Sequence, residues 1–140
     1  MSKRVLIVDD EKLMRDSLRE ALTRAGLKTD LAEAGDEAKR MIDDSFYDLI
    51  MCDIRMPGMS GIELLKYVKK NSPETSVIMM TAFGTVETAV KAMRFGAADY
   101  LTKPFSFDEV EVIVRKALEH HDVIRENRYL KKELHERYDF

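Results

Sequence analysis

Three short runs in this chain of 140 residues are apolar at almost every position, and they constrain the fold more than any other feature. They cover Val5–Val8, Asp48–Cys52 and Val77–Met80. A strand with one face in water alternates apolar and polar residues, whereas a continuous apolar run is typical of a strand buried on both faces of a parallel sheet. The sequence therefore predicts a parallel sheet that is covered by helices on both sides.

Helix-length amphipathic segments separate these runs, and two weaker strand candidates complete the pattern at Lys28–Leu31 and Asp99–Leu101. The candidate helices are Leu13–Ala25, Glu37–Asp44, Gly61–Asn71 and Val86–Phe95. Five apolar residues of the first are expected on one packed face: Leu13, Leu18, Ala21, Leu22 and Ala25. Gly26 follows, where a left-handed helix cap would lie. The strict alternation predicts a doubly wound α/β fold with five strands and five helices.

Composition and charge exclude several classes of protein. Apolar residues make up 45% and charged residues 35% of the chain, which is typical of a globular protein. The apolar runs are much shorter than the roughly 20 residues that cross a bilayer. The formal net charge of −3 argues against direct binding of nucleic acid. A single cysteine, Cys52, excludes an internal disulfide and fits a reducing compartment, so we expect a cytoplasmic location without membrane contact.

Polar side chains follow four of the predicted strands at the point where each strand ends. In open parallel sheets, ligands bind outside the carboxyl ends of the strands. Three acids follow the first strand, one acid follows the third, a hydroxyl follows the fourth and a lysine follows the fifth: Asp9, Asp10, Glu11, Asp53, Thr81 and Lys103. We therefore expect these six side chains to meet at one edge of the sheet.

Clustered carboxylates repel one another, and a bound cation is the usual remedy. Oxygen ligands of this kind favour Mg²⁺, which commonly bridges carboxylates and phosphate oxygens. Asp53 is then a candidate nucleophile that forms an aspartyl phosphate, while Lys103 and Thr81 would contact the phosphoryl oxygens. Taken singly, each has an ordinary explanation: a strand-end aspartate caps a turn, Thr81 satisfies a strand end, and Lys103 is a surface charge. Their convergence favours the phosphoryl site.

The four stretches "VLIVDDE", "DLIMCDIRMPGMSG", "VIMMTAFG" and "AADYLTKPF" carry a resemblance to a known family. Over about residues 3–120 the chain resembles the receiver domain of bacterial two-component response regulators. The resemblance implies a flavodoxin-like sheet with strand order 2-1-3-4-5. It also implies that a partner sensor histidine kinase, or a small phosphodonor, supplies a phosphoryl group.

The resemblance assigns roles at the metal and phosphoryl site. Asp53 would be the phosphoacceptor and a metal ligand. Asp10 would bind Mg²⁺ directly, and Asp9 would bind it through water. The backbone carbonyl of Arg55 would be a further metal ligand.

The resemblance also implies a conformational switch. Thr81 and Lys103 would hold the phosphoryl group, and Thr81 would move towards it. Tyr100 would follow as the switch aromatic, remodelling the surface of the fourth helix, fifth strand and fifth helix, which is a candidate dimer contact. A half-buried strand aromatic is the ordinary alternative for Tyr100. Pro104 is expected to follow a cis peptide bond, as it usually does in the family.

Two positions flank the expected phosphoryl group. Arg55 and Phe83 lie two residues after Asp53 and Thr81. In the family, side chains at these positions tune attack by water. We hypothesise that the long Arg55 and the bulky Phe83 crowd that water and slow self-dephosphorylation.

A tail, "EHHDVIRENRYLKKELHERYDF", follows the expected receiver domain. The receiver domain is predicted over residues 1–119 and a linker helix over 120–140, because no Gly or Pro occurs from Ser106 to Phe140. Four residues with 4-3-4 spacing would form a short parallel coiled-coil seam: Val123, Asn127, Leu130 and Leu134. This seam predicts a homodimer, and a solvated terminal helix is the alternative.

The tail resembles the linker between the receiver and the AAA+ ATPase in NtrC-type, sigma-54-dependent transcriptional activators. The ATPase and DNA-binding regions lie outside this sequence, so we interpret it as the N-terminal part of a longer regulator. Phosphorylation would then control ATPase assembly through the receiver dimer.

Three other functions are alternatives to this interpretation. A Mg²⁺-dependent phosphatase with an Asp nucleophile would need a second acid two residues after it, where this chain has Arg55, so no turnover of external substrates is expected. A flavodoxin-type electron carrier gives no reason for the acid cluster. A stand-alone receiver that acts by protein contact shares the chemistry and lacks an output domain.

Overall fold

The computed structural model describes residues 3–82 and 84–119. The strands are β1 (Arg4–Val8), β2 (Lys28–Ala32), β3 (Leu49–Asp53), β4 (Ser76–Thr81) and β5 (Asp99–Thr102). The helices are α1 (Lys12–Arg24), α2 (Gly35–Asp44), α3 (Gly61–Asn71), α4 (Val86–Arg94) and α5 (107–119). Strand and helix alternate as predicted, and each predicted boundary lies within two residues of the observed one.

The five strands form one parallel sheet in the order β2-β1-β3-β4-β5, which confirms the predicted topology. Val8 lies opposite Cys52 and Asp53 lies opposite Met80, so the last residues of β1, β3 and β4 reach the same edge. Thr81 lies opposite Thr102 at the end of β5. In residues 3–82 and 84–119, no helix has the length and apolar character that a membrane span needs.

The central strands β1, β3 and β4 are buried on both faces, as the apolar runs predicted. One face packs against α2 and α3 through residues that include Leu6, Ile50, Ala38, Leu64 and Leu65. The other face packs against α1 and α5 through residues that include Ile7, Met51, Leu18, Val110 and Val114. Each large apolar side chain buried here contributes about 1.5–3 kcal/mol relative to its exposed state. Both layers therefore fix the sheet, and with it the edge that carries the polar side chains.

The predicted packed face of α1 was wrong at Leu13 and at Ala25, which are both exposed. Leu13 is 79% exposed, whereas Leu18, Leu22 and Arg15 are buried. Leu13 precedes Leu22 by nine residues, which is about two and a half helical turns and places it on the opposite side of the helix. The Gly26 prediction is confirmed, because its φ of 87° is the left-handed conformation that glycine adopts without a steric penalty.

Helix α4 contributes little to the core. Ala92 is its one buried residue, and Val86, Val90 and Met93 are exposed on its outer side. Thr85 caps the helix: its hydroxyl accepts a hydrogen bond from the Thr88 amide, and the Thr88 hydroxyl accepts one from the Thr85 amide. This reciprocal box satisfies two amides that a helix start otherwise leaves without partners.

Candidate functional site

Four carboxylates meet at the edge where β1 and β3 end. Each of Asp9, Asp10, Glu11 and Asp53 places a carboxylate oxygen within 4.8 Å of the other three. Asp9 is fully buried and Asp53 is 6% exposed, whereas Asp10 and Glu11 are exposed to solvent. The expected convergence of the acids is therefore present, with two of them in the wall of the pocket and two at its mouth.

Lys103 enters this acidic pocket from the end of β5. Its Nζ lies 2.8 Å from Oδ2 of Asp9 and 3.3 Å from Oδ2 of Asp53. The backbone amide of Lys103 donates to the Thr81 carbonyl at 2.8 Å, which fixes the start of the turn. The Lys103–Pro104 peptide bond is cis, as the resemblance implied. Lys103 therefore links the two buried carboxylates in a position where it could also meet a phosphoryl oxygen.

Burial and charge act in opposite directions on these groups. Burial raises the pKa of the Asp53 carboxyl above its ordinary value, and the charge of Asp9 raises it further, although Lys103 and the Arg55 amide lower it. Burial lowers the pKa of Lys103, but hydrogen bonds and charge attraction to Asp9 and Asp53 outweigh it, so the net shift is upward. Lys103 therefore stays cationic beside the acids at neutral pH.

The loop after β3 holds Asp53 in place. The Arg55 amide donates to Asp53 Oδ1 at 3.3 Å, and the Gly61 amide donates to the Ile54 carbonyl at 2.8 Å. A Cβ added to Gly61 would lie 2.2 Å from the Asp53 carbonyl oxygen, much closer than van der Waals contact allows. Helix α3 can therefore begin directly against Asp53 because residue 61 lacks a side chain.

The two predicted switch residues lie on adjacent strands. Thr81 ends β4 and is buried, whereas Tyr100 on β5 is half-buried. The Tyr100 hydroxyl lies 3.0 Å from the Thr88 hydroxyl in the first turn of α4. A hydrogen bond therefore joins Tyr100 on β5 to the first turn of α4.

Sequence reasoning missed Arg15. Its Nη1 donates to the Asp9 carbonyl at 2.8 Å and its Nη2 lies 3.4 Å from Glu33 Oε1. Arg15 shares a face of α1 with Leu18 and Leu22, three and seven residues further on. A charged residue at the spacing of an apolar face was the signal that could have found it.

The donor set of the pocket fits a hard divalent cation. All four acids offer carboxylate oxygens, which Mg²⁺ prefers, and the exposed Asp10 and Glu11 leave the mouth open to the water ligands that Mg²⁺ retains. The roles of Asp10 and Asp53 as direct metal ligands stay predictions. The ligand role of the Arg55 carbonyl stays a prediction. Phe83 and the seam residues Val123, Asn127, Leu130 and Leu134 lie outside the described residues.

Residues 5–115 match the family described as response regulator receiver domain. The chain belongs to this family. The chain is 44% identical over 131 residues to the regulatory protein AtoC of Escherichia coli K12, covering 94% of this chain and 28% of that protein. It is 44% identical over 115 residues to the DNA-binding transcriptional regulator NtrC of Klebsiella pneumoniae, covering 82% of this chain and 24% of that protein.

A solved structure supports the same conclusion about the receiver domain. The beryllofluoride-activated NtrC4 receiver domain dimer superposes with a TM-score of 0.81 at 38% identity, covering 84% of this chain and 98% of that chain. The chain spans about a quarter of the length of the curated relatives it matches, 28% and 24% for the two above. The predicted fold, family and relation to NtrC-type regulators are confirmed, and the division at residue 119 stays a prediction.

Proposed function

We propose that this receiver domain accepts a phosphoryl group on Asp53, in a pocket where its acids bind Mg²⁺. The observation that carries the proposal is the meeting of Asp53 with three further carboxylates and Lys103 at the carboxyl edge of the sheet. Three separate segments of the chain supply these groups. A structural cap or a surface charge would require only one of them.

The described groups can orient Asp53 for attack. The Arg55 amide and Lys103 Nζ each contact one oxygen of the Asp53 carboxylate. An Asp53 oxygen forms a bond to phosphorus while the bond from phosphorus to the donor's histidine nitrogen breaks, and the released nitrogen takes a proton from solvent. Mg²⁺, when bound, neutralises charge on the phosphoryl oxygens. Lys103 can pair with a phosphoryl oxygen through a small movement away from Asp9.

The partner that donates the phosphoryl group is a sensor histidine kinase. A donor protein must contact the rim of the pocket to bring its histidine to Asp53. Two exposed apolar side chains stand close to the pocket residues in the sequence: Leu13 follows the acids by two residues, and Phe107 follows Lys103 by four. Exposed apolar residues beside a polar site are typical of a protein contact.

Phosphorylation would be transmitted through Thr81 and Tyr100. The phosphoryl group attracts the Thr81 hydroxyl, and Tyr100 moves into the space that Thr81 leaves. That movement breaks the Tyr100 contact with Thr88 and changes the first turn of α4. The exposed residues Val86, Val90 and Met93 lie on this helix, and they are suited to contact a second receiver domain.

The complete regulator would use this switch to control transcription. The relative from Klebsiella pneumoniae is described as a DNA-binding transcriptional regulator, and the receiver domain matches 24% of its length. We infer an NtrC-type, sigma-54-dependent activator whose AAA+ ATPase and DNA-binding domains follow in the complete protein. Residues 120–140 would be the linker helix and dimer contact, with the protein acting in the cytoplasm and with no turnover of external substrates.

Intact mass spectrometry tests the central step. The wild type, Asp53→Asn and the control Asp16→Asn, which changes an exposed aspartate on α1, are incubated with acetyl phosphate with and without Mg²⁺. We expect one added phosphate in the wild type and the control, dependent on Mg²⁺ and released by hydroxylamine. The proposal fails if Asp53→Asn is phosphorylated to the same extent. Sedimentation of the same samples shows whether phosphorylation strengthens or weakens the dimer.

A further inference from the structure

Asp9 lies at the base of the acidic pocket, and each of its polar atoms takes part in a hydrogen bond. Its amide donates to the Ala32 carbonyl at 3.2 Å, and its carbonyl accepts from Arg15 Nη1 at 2.8 Å. Its Oδ1 accepts from the Glu11 amide at 2.9 Å, and its Oδ2 accepts from Lys103 Nζ at 2.8 Å. The conformation of the turn that carries Asp10 and Glu11 is therefore determined by four separate hydrogen bonds.

One of these four bonds comes from a buried charge. Arg15 is 7% exposed, and burying a cation is costly unless charged or polar partners compensate it. Its closest polar contact is the Asp9 main-chain carbonyl, and its second contact is the exposed carboxylate of Glu33 at 3.4 Å. The guanidinium therefore acts on the backbone of Asp9 and leaves both Asp9 carboxylate oxygens to Glu11 and Lys103.

We propose that Arg15 is a positioning residue of the metal pocket. By fixing the Asp9 carbonyl it sets the direction of the Asp9–Glu11 turn, and with it the distance between the Asp10 and Asp53 carboxylates. This inference rests on the proposed function, because it assigns Arg15 to the Mg²⁺ site proposed above. Arg15 would not itself be a ligand of the metal or of the phosphoryl group, and it would act on the site through the Asp9 carbonyl.

Removing Arg15 takes away a positive charge and also releases the turn, and these two changes predict opposite effects on metal affinity. Removing a cation near four carboxylates strengthens the attraction of any divalent ion, whether Mg²⁺ or Ca²⁺. Loss of the fixed turn weakens the binding of Mg²⁺ more than that of Ca²⁺, because Mg²⁺ demands near-octahedral geometry whereas Ca²⁺ accepts a flexible site. The ratio of Mg²⁺ to Ca²⁺ affinity therefore reports position and is insensitive to charge.

The test compares Arg15→Met with wild type by isothermal titration with Mg²⁺ and with Ca²⁺. Mutation of a residue that contacts a metal ligand typically changes metal affinity by about 10-fold or more. We therefore expect the ratio of Mg²⁺ affinity to Ca²⁺ affinity to fall about tenfold. Arg15→Lys keeps a cation and one donor that can approach the Asp9 carbonyl, so it should recover part of the loss. Arg19→Met removes an exposed arginine one turn along the same helix and should leave the ratio unchanged.

A metal-free measurement keeps the test independent of the proposed function. The Glu11 amide proton, which donates to Asp9 Oδ1, should move upfield in the nuclear magnetic resonance spectrum of Arg15→Met without added metal. An unchanged ratio together with an unchanged Glu11 amide would overturn the positioning role. Absence of Mg²⁺ binding in the wild type would instead overturn the proposed metal site, with the Glu11 amide still reporting on Arg15.

Discussion

The Tyr100 hydroxyl and the Thr88 hydroxyl form a hydrogen bond across 3.0 Å. The Thr88 hydroxyl has one proton and two lone pairs, so it can take part in several hydrogen bonds at once. Thr88 also donates to the Thr85 carbonyl, accepts from the Thr85 amide and lies 3.0 Å from the Thr85 hydroxyl. The ring of the switch residue is thus attached to the cap of the helix that it is proposed to control.

We expect Tyr100→Phe to loosen the start of α4. The variant keeps the ring and loses one hydrogen bond, which lowers the free energy of unfolding by about 1 kcal/mol. Thr88→Val should cost about 1–2 kcal/mol because it also removes the helix cap. Amide hydrogen exchange in the first turn of α4 should become faster in both variants.

A double-mutant cycle provides the control for this contact. If Tyr100 and Thr88 interact as described, the double variant should be about 1 kcal/mol more stable than the sum of the single effects indicates. Strict additivity in chemical denaturation would contradict the contact.

Lys103→Met should destabilise the metal-free protein. The substitution leaves the buried Asp9 carboxylate without its cation, and removing one partner of a buried ion pair costs about 3 kcal/mol. Mg²⁺ should then stabilise the variant more than the wild type, because a divalent cation replaces part of the missing charge. Thermal unfolding with and without Mg²⁺ measures both effects. An equal Mg²⁺ shift in the two proteins would argue against a metal site next to Lys103.

Gly61→Ala should be far more harmful than Gly58→Ala. The first substitution forces a Cβ against the Asp53 carbonyl and displaces α3 or Asp53, at a cost of about 3 kcal/mol. The second places alanine at a φ of +79° with no atom within 4 Å, so it costs about 1 kcal/mol from the backbone alone. Chemical denaturation ranks the two variants. The phosphorylation rate of Asp53 should fall in Gly61→Ala only, and equal rates would show that the contact does not position Asp53.

The pKa of Tyr47 predicts how the free energy of unfolding changes at alkaline pH. Its side chain is 3% exposed, and burial together with the hydrogen bond to Asp30 raises its pKa from 10.0 to about 12. The folded state therefore retains the phenolic proton that the unfolded state loses first. The stabilisation is complete below pH 10 and is lost as the pH rises towards 12.

The matched variants for this titration are Tyr47→Phe and Asp30→Asn. Stability of the wild type should fall more steeply between pH 10 and 12 than that of Tyr47→Phe, measured by chemical denaturation at each pH. The difference absorbance at 295 nm between these two proteins should titrate near 12. Asp30→Asn should lower this value part of the way, because burial is the larger cause. A midpoint near 10 in the wild type would contradict the described burial.

The sequence determined the sheet because its central strands read as unbroken apolar runs. It also determined the acidic pocket, because parallel strands bring the residues after β1, β3, β4 and β5 to one edge. Distances within the pocket did not follow from the sequence, since they depend on how far each loop turns after its strand. Arg15 and Leu13 also could not be placed from the sequence. Helix α1 buries the charged Arg15 and exposes Leu13, and its two faces differ by so few residues that only the packing in the folded protein decides which one is buried.

Helix α4 carries its three largest apolar side chains outward and buries one alanine. Substitutions at Val86, Val90 and Met93 therefore leave the core nearly untouched. A gene duplicate could exchange these side chains, and so acquire a different protein contact, while its phosphorylation chemistry stayed the same. The sparse packing of α4 thus separates the part of the molecule that can diversify from the part that must remain constant.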